Sequence, residues 1–206
     1  RASGTTVDKE TFREAYVYAE RELAKVRHIM PDDNFHTLLL KKMQIELGWL
    51  ADHGYISADD ARRMAPEIAR YCYERARECV EEARPVLEAI RERHIPMVLV
   101  SNFYGNVQAV LADFNLLQYF ESIIESAVVG VRKPDPQIFR LGVDALGMKP
   151  EEVLVVGDSY KKDIVPAETI GCRVAWIKGK GWTAEEDVVT HPSIIKNIGE
   201  VLQAAF

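Results

Sequence analysis

The stretch Val153-Leu154-Val155-Val156-Gly157-Asp158-Ser159-Tyr160-Lys161-Lys162-Asp163 decides the fold. Four consecutive apolar residues, with no polar alternation among them, read as a short strand buried on both faces, which is the signature of a parallel sheet. Gly157 then lets the backbone turn tightly beside a bound group. Asp158 and Asp163 stand five positions apart across the turn into the next helix. From there both carboxylates can face the sheet edge as hard oxygen ligands suited to Mg²⁺. Their ordinary roles would be a turn residue and a helix-dipole acid.

On either side of this stretch the same order repeats. Ile95-Pro96 breaks the chain before the apolar run Met97–Val100, a second buried strand. A helix is expected from about Asn106 to Phe114, a strand at Ser122–Glu125 and a helix at Pro136–Leu146. Further on come a helix at Ile164–Ile170, a strand at Arg173–Ile177 and a last helix near Ile194–Ala204. Strands alternating with helices predict an α/β fold, a Rossmann-like doubly wound parallel sheet, over residues 82–206. Pro85 fits the first turn of a helix over Val86–Arg93.

Residues 7–81 read as helices only. Thr5 and Asp8 resemble a capping box ahead of Phe12, Ala15, Tyr16, Ala19, Leu23 and Val26, an apolar stripe at helical spacing. A second helix runs from Asn34 to Leu47 with Gly48 as its stop, and Ser57 with Asp60 opens a third that Pro66 restarts or kinks. The expected organisation is therefore an all-helical domain followed by an α/β core.

In an open parallel sheet, ligands gather at the carboxyl ends of the strands. After Val100 come Ser101 and Asn102, two small hydrogen-bonding residues ahead of Gly105 and a helix start whose free amides favour an anion. Their plain alternative is a helix cap. A third tip is the loop Val131-Arg132-Lys133-Pro134-Asp135-Pro136, where Asp135 caps and Pro136 starts the following helix. A lysine there suits a phosphate or a carboxylate cluster as a compact charge. Spacing alone does not choose between Arg132 and Lys133.

Taken in order, Val98-Leu99-Val100-Ser101-Asn102, Lys133-Pro134-Asp135-Pro136-Gln137-Ile138-Phe139 and Val155-Val156-Gly157-Asp158-Ser159 with Asp163 and Gly171 resemble the second, third and fourth motifs of the haloacid dehalogenase-like hydrolase superfamily. The helical segment is similar to that family's type-one cap. The resemblance implies a Mg²⁺-dependent phosphatase of a small phosphorylated metabolite, working through an aspartyl-phosphate intermediate. It also implies Ser101, Lys133 and Asp158 as catalytic residues, Ser101, Asn102 and Lys133 as substrate contacts, and Asp158 with Asp163 as metal residues. A 2-haloacid dehalogenase is the neighbouring enzyme reading, separable by its indifference to EDTA.

The family's first motif, an apolar strand ending in Asp-x-Asp-Gly-Thr, does not precede the helical segment, so neither catalytic aspartate can be assigned. In the family that strand lies between those carrying the second and fourth motifs. Leaving it out would strand buried donors and acceptors at about 1–3 kcal/mol each. The expectation is therefore a chain N-terminally incomplete by roughly 15–30 residues, allowing for one strand and the loop after it. If Arg1 is instead near the native start, a catalytically silent binding or interaction protein becomes the better reading.

Composition agrees with a globular protein: 48% hydrophobic residues, 28% charged and a net charge of −6 over 206 residues. The acidic balance weighs against a nucleic-acid partner, and no apolar run has the length of a membrane span. Three cysteines without a CxxC pair predict neither a disulfide framework nor a zinc site, and fit a cytoplasmic setting. The five histidines lack metal-ligand spacing, and Tyr16, Tyr18, Tyr71 and Tyr73 read as packing residues. Gly179-Lys180-Gly181-Trp182 reads as a loop that could flank a site mouth.

Overall fold

The computed structural model describes residues 7–180 and 187–204, so Thr5 of the expected capping box and Gly181-Trp182 lie outside the described residues. Two compact units are present, Arg1–Val80 with Tyr104–Asn115, and Glu81–Phe103 with Leu116–Phe206.

In the first unit, α1 (Lys9–Lys25) is capped by Asp8, whose carboxylate accepts from the amides of Glu10 and Thr11. Its buried face is Thr11, Ala15, Ala19 and Leu23, whereas Phe12 and Val26 of the expected stripe are exposed. Helix α2 (Phe35–Asp52) starts at the Asn34 cap and runs straight through Gly48. Packing explains the correction: Leu47 and Leu50 are buried in one cluster with Met43, Ile56, Met64 and Ala65, so the helix is held on both sides of the glycine.

Helix α3 (Ala58–Glu92) begins at the Ser57–Asp60 pair as expected and then continues unbroken through Pro66 and Pro85. Both prolines are exposed, so water can satisfy the carbonyls that lose a partner. Along the exposed side, Asp59–Arg62, Asp60–Arg63, Glu74–Arg77, Arg75–Glu78, Glu81–Arg84 and Glu88–Arg91 form i,i+3 ion pairs, each adding a few tenths of a kcal/mol. Helix α4 (Val107–Asp113) belongs to the first unit, where Asn106 donates to the Asp33 carbonyl at 2.8 Å and Phe114 packs on Phe35 and Tyr73.

The second unit holds two parallel sheets. Strand β1 (Val98–Ser101) pairs with β2 (Ser122–Glu125), Val98 opposite Ser122 and Ser101 opposite Glu125. Strand β3 (Leu154–Gly157) pairs with β4 (Arg173–Ile177), which pairs with β5 (Ile194–Ile195). Residues Ile194 and Ile195 were expected to open the last helix; they extend the sheet instead, and helix is confined to a 3₁₀ turn and α8 (Val201–Ala204). Short α5 (Ser126–Val129), α6 (Gln137–Leu146) and α7 (Val165–Thr169) complete the alternation. Ile124, Ile138, Phe139, Val143, Ala167 and Cys172 make its main core. Among the described residues no helix is long and apolar enough to cross a membrane.

Candidate active site

The carboxyl ends of β1, β2 and β3 carry the polar residues singled out from the sequence, and they differ in what they touch. Lys133 follows β2 and α5. Its ammonium donates to Asp163 Oδ1 at 2.7 Å and to the Val100 carbonyl at 3.3 Å. One charge thus ties the end of β1 to the turn after β3. Lys133 and Asp163 side chains are 16% and 6% exposed, which separates this pair from the surface ion pairs of α3. Arg132 beside it is exposed.

The backbone of Lys133 is fixed by Asn102. The Asn102 amide oxygen accepts from Lys133 N at 2.8 Å, and its amide nitrogen donates to the Lys133 carbonyl at 2.9 Å. The Asn102 side chain thus acts as a two-point clamp between the loop after β1 and the loop that carries Lys133. Asn102→Ala is expected to lower the stability of this unit by about 1–3 kcal/mol in urea titration, for two lost hydrogen bonds. Asn102→Asp should cost less, because it can still accept from Lys133 N. Ser126 ties the same loop from the other side, its hydroxyl accepting from Phe103 N at 3.1 Å. No sequence signal marks Ser126.

Asp163 owes its place to the turn before α7. Residues Tyr160–Ile164 form a π-helical turn capped by Ser159, which brings Asp163 back over the end of β3. Its Oδ2 accepts from Ser159 N at 2.9 Å. A Cβ built on Gly157 would lie 2.4 Å from Asp163 Cβ, so only glycine lets the carboxylate settle there. Asp158 is exposed, and its carbonyl accepts from Trp176 Nε1 at 3.0 Å. Ser101 is the half-buried last residue of β1.

Asp158 and Asp163 offer two hard carboxylates, a donor set that Mg²⁺ takes when water and phosphate oxygens complete its shell. Each Asp163 oxygen holds one protein hydrogen bond and keeps a lone pair. Among the described residues no group of three or more His, Cys, Asp or Glu side chains forms a metal cluster.

Parallel strands whose ends are joined by a lysine and a buried aspartate define an α/β protein with a polar cluster at the carboxyl ends of its strands. The chain belongs to the haloacid dehalogenase-like hydrolases, whose family description matches residues 2–171. It is 31% identical over 119 residues to the phosphoserine phosphatase of Thermus thermophilus, covering 57% of this chain and 47% of that protein. It is 40% identical over 60 residues to the glyceraldehyde 3-phosphate phosphatase of Pyrococcus furiosus, covering 29% of this chain and 25% of that protein. The crystal structure of a HAD phosphatase from Thermococcus onnurineus shares the fold with a TM-score of 0.51 at 20% identity, covering 98% of this chain and 93% of that one. The chain spans at most about half the length of these curated relatives.

Proposed function

We propose that the complete protein is a Mg²⁺-dependent phosphatase of a small phosphorylated metabolite, acting through an aspartyl-phosphate intermediate. The observation that carries this reading is the Lys133 ammonium, held at 2.7 Å from Asp163 where β1 and β3 end. A cation anchored in this way is placed to meet a phosphoryl group without reorganising. The phosphatase names of the similar proteins support the reading.

In this proposal Ser101 donates its hydroxyl to a phosphoryl oxygen, Asn102 holds the Lys133 backbone and adds its own amide, and Lys133 neutralises phosphate charge. Asp158 and Asp163 would hold Mg²⁺, which when bound supplies Lewis-acid neutralisation of the phosphate. Cys72, Cys79 and Cys172 are free thiols, which suits a reducing, cytoplasmic setting.

The test is turnover by the complete protein across a panel of phosphomonoesters, phosphoserine and glyceraldehyde 3-phosphate included. Phosphate release that EDTA abolishes and Mg²⁺ restores is expected. EDTA-resistant release of halide from 2-haloacids would favour dehalogenation instead, and inertness toward both classes would favour a silent binding protein.

A further inference from the structure

The two aspartates beyond β3 are held by different means. Asp163 is fixed through its own side chain, by the Lys133 ammonium at 2.7 Å and by Ser159 N at 2.9 Å. Among the described residues the Asp158 carboxylate accepts no hydrogen bond and forms no ion pair. Its direction is therefore set through its backbone. The side chain that holds this backbone is Trp176, whose Nε1 donates to the Asp158 carbonyl at 3.0 Å.

Trp176 is itself firmly placed. It is buried on β4 opposite Gly157, and its backbone amide donates to the Ser193 carbonyl at 2.9 Å. Tyr160, the first residue of the π turn, packs its ring on the indole with centroids 5.1 Å apart, and the His191 ring lies 6.0 Å from that of Tyr160. His191 Nδ1 accepts from Ser193 N at 3.3 Å and meets Ser193 Oγ at 2.6 Å, so in the neutral ring the proton sits on Nε2. From there it points at Glu168 Oε1, 3.2 Å away. Glu168 belongs to α7, which continues directly from the π turn. The segment His191–Ser193 thus reaches both ends of one turn, through Trp176 at Asp158 and through Glu168 beyond Asp163.

The plain role of the indole bond is to satisfy a buried N–H, which any carbonyl could do. The carbonyl it meets belongs to the residue whose carboxylate has no other support. Metal ligands are aimed by the groups behind them, and loss of such a group typically weakens the metal site. We propose that Trp176 is a positioning residue for the Asp158 carboxylate as a Mg²⁺ ligand, and that His191 with Glu168 holds the far end of the same turn. This role rests on the metal of the proposed phosphatase and on none of its chemical steps.

Calorimetric titration of the full-length protein with Mg²⁺ alone, without any phosphoester, tests it. Trp176→Phe keeps an aromatic ring in the core and deletes the N–H, and its dissociation constant for Mg²⁺ should rise about tenfold or more. Glu168→Ala, at an exposed position, should raise the constant about threefold. Val143→Ala loosens the core of the same unit from α6 and should change the constant by less than about twofold, although it lowers the urea midpoint. A Trp176→Phe constant within about twofold of the parent, or an equal rise in Val143→Ala, would overturn the positioning role and leave the phosphatase reading standing. Should Trp176→Phe not fold, Glu168→Ala decides: a weakened site supports the role, and an unchanged one overturns it. A parent that takes up no Mg²⁺ would overturn both this role and the metal of the proposed function.

Discussion

Asp163→Ala is expected to destabilise the α/β unit by about 3–5 kcal/mol, the range for removing one partner of a buried ion pair. The loss has two parts. Lys133 is left as a mostly buried ammonium with only the Val100 carbonyl at 3.3 Å, and Ser159 N loses its acceptor at 2.9 Å. Domain stabilities lie near 5–15 kcal/mol, so the variant should show a much lower urea midpoint. Asp163→Asn retains an acceptor for Ser159 N while removing the charge, and should fall between the two. Lys133→Met in the Asp163→Ala background should recover part of the loss, because the unpaired charge is then gone as well. An unfolding free energy within about 1 kcal/mol of the parent for Asp163→Ala would show that water, and not the ion pair, balances these charges.

A second large effect is expected in the helical unit, and it depends on pH. Glu46 on α2 is 1% exposed, and burial pushes its carboxyl up to about 7. Lys42 at 4.0 Å opposes the shift and Glu20 adds to it, but Lys42 is more closely engaged with Glu20, at 2.5 Å. Neither Glu46 oxygen has a hydrogen-bond partner. Tyr16 and Cys72, packed nearby, are themselves raised chiefly by burial. Because the folded value lies above the ordinary one of 4.5, the folded state binds the proton more tightly. Stability should then fall as pH rises from about 4.5 to 7 and level off above, by an amount on the order of 3 kcal/mol. Glu46→Gln should flatten that slope and be the more stable form at pH 8. Parallel pH profiles for parent and variant in thermal unfolding would count against a buried, proton-holding Glu46.

The sequence was easiest to read where chemistry is local. Strands β2 and β4 fall on the residues expected, because each is a short apolar run bounded by turn residues. The Asn34 and Ser57 helix starts follow from side chains that hydrogen-bond three residues ahead. Gly48, Pro66 and Pro85 misled, because each weakens a helix locally while burial of Leu50, Met64, Ala65 and Val86 on the other face holds it. Ile194-Ile195 is too short to show a period, and only the β4 edge makes it a strand. At the site, residue types and order pointed to Lys133, Asp158 and Asp163. The Asn102 clamp and the Gly157–Asp163 contact depend on distances between loops some 30 residues apart or on a π turn, neither of which leaves a pattern in the chain.

The separation of the sheets bears on how the α/β unit forms. Val98 meets Ser122 across 24 positions of chain, Leu154 meets Arg173 across 19, and Trp176 meets Ile194 across 18. Loop-closure entropy grows only slowly with length, and these loops are short for a parallel sheet. Each sheet can therefore close around its own helices before the other exists, giving two early cooperative segments whose folding rates need not match.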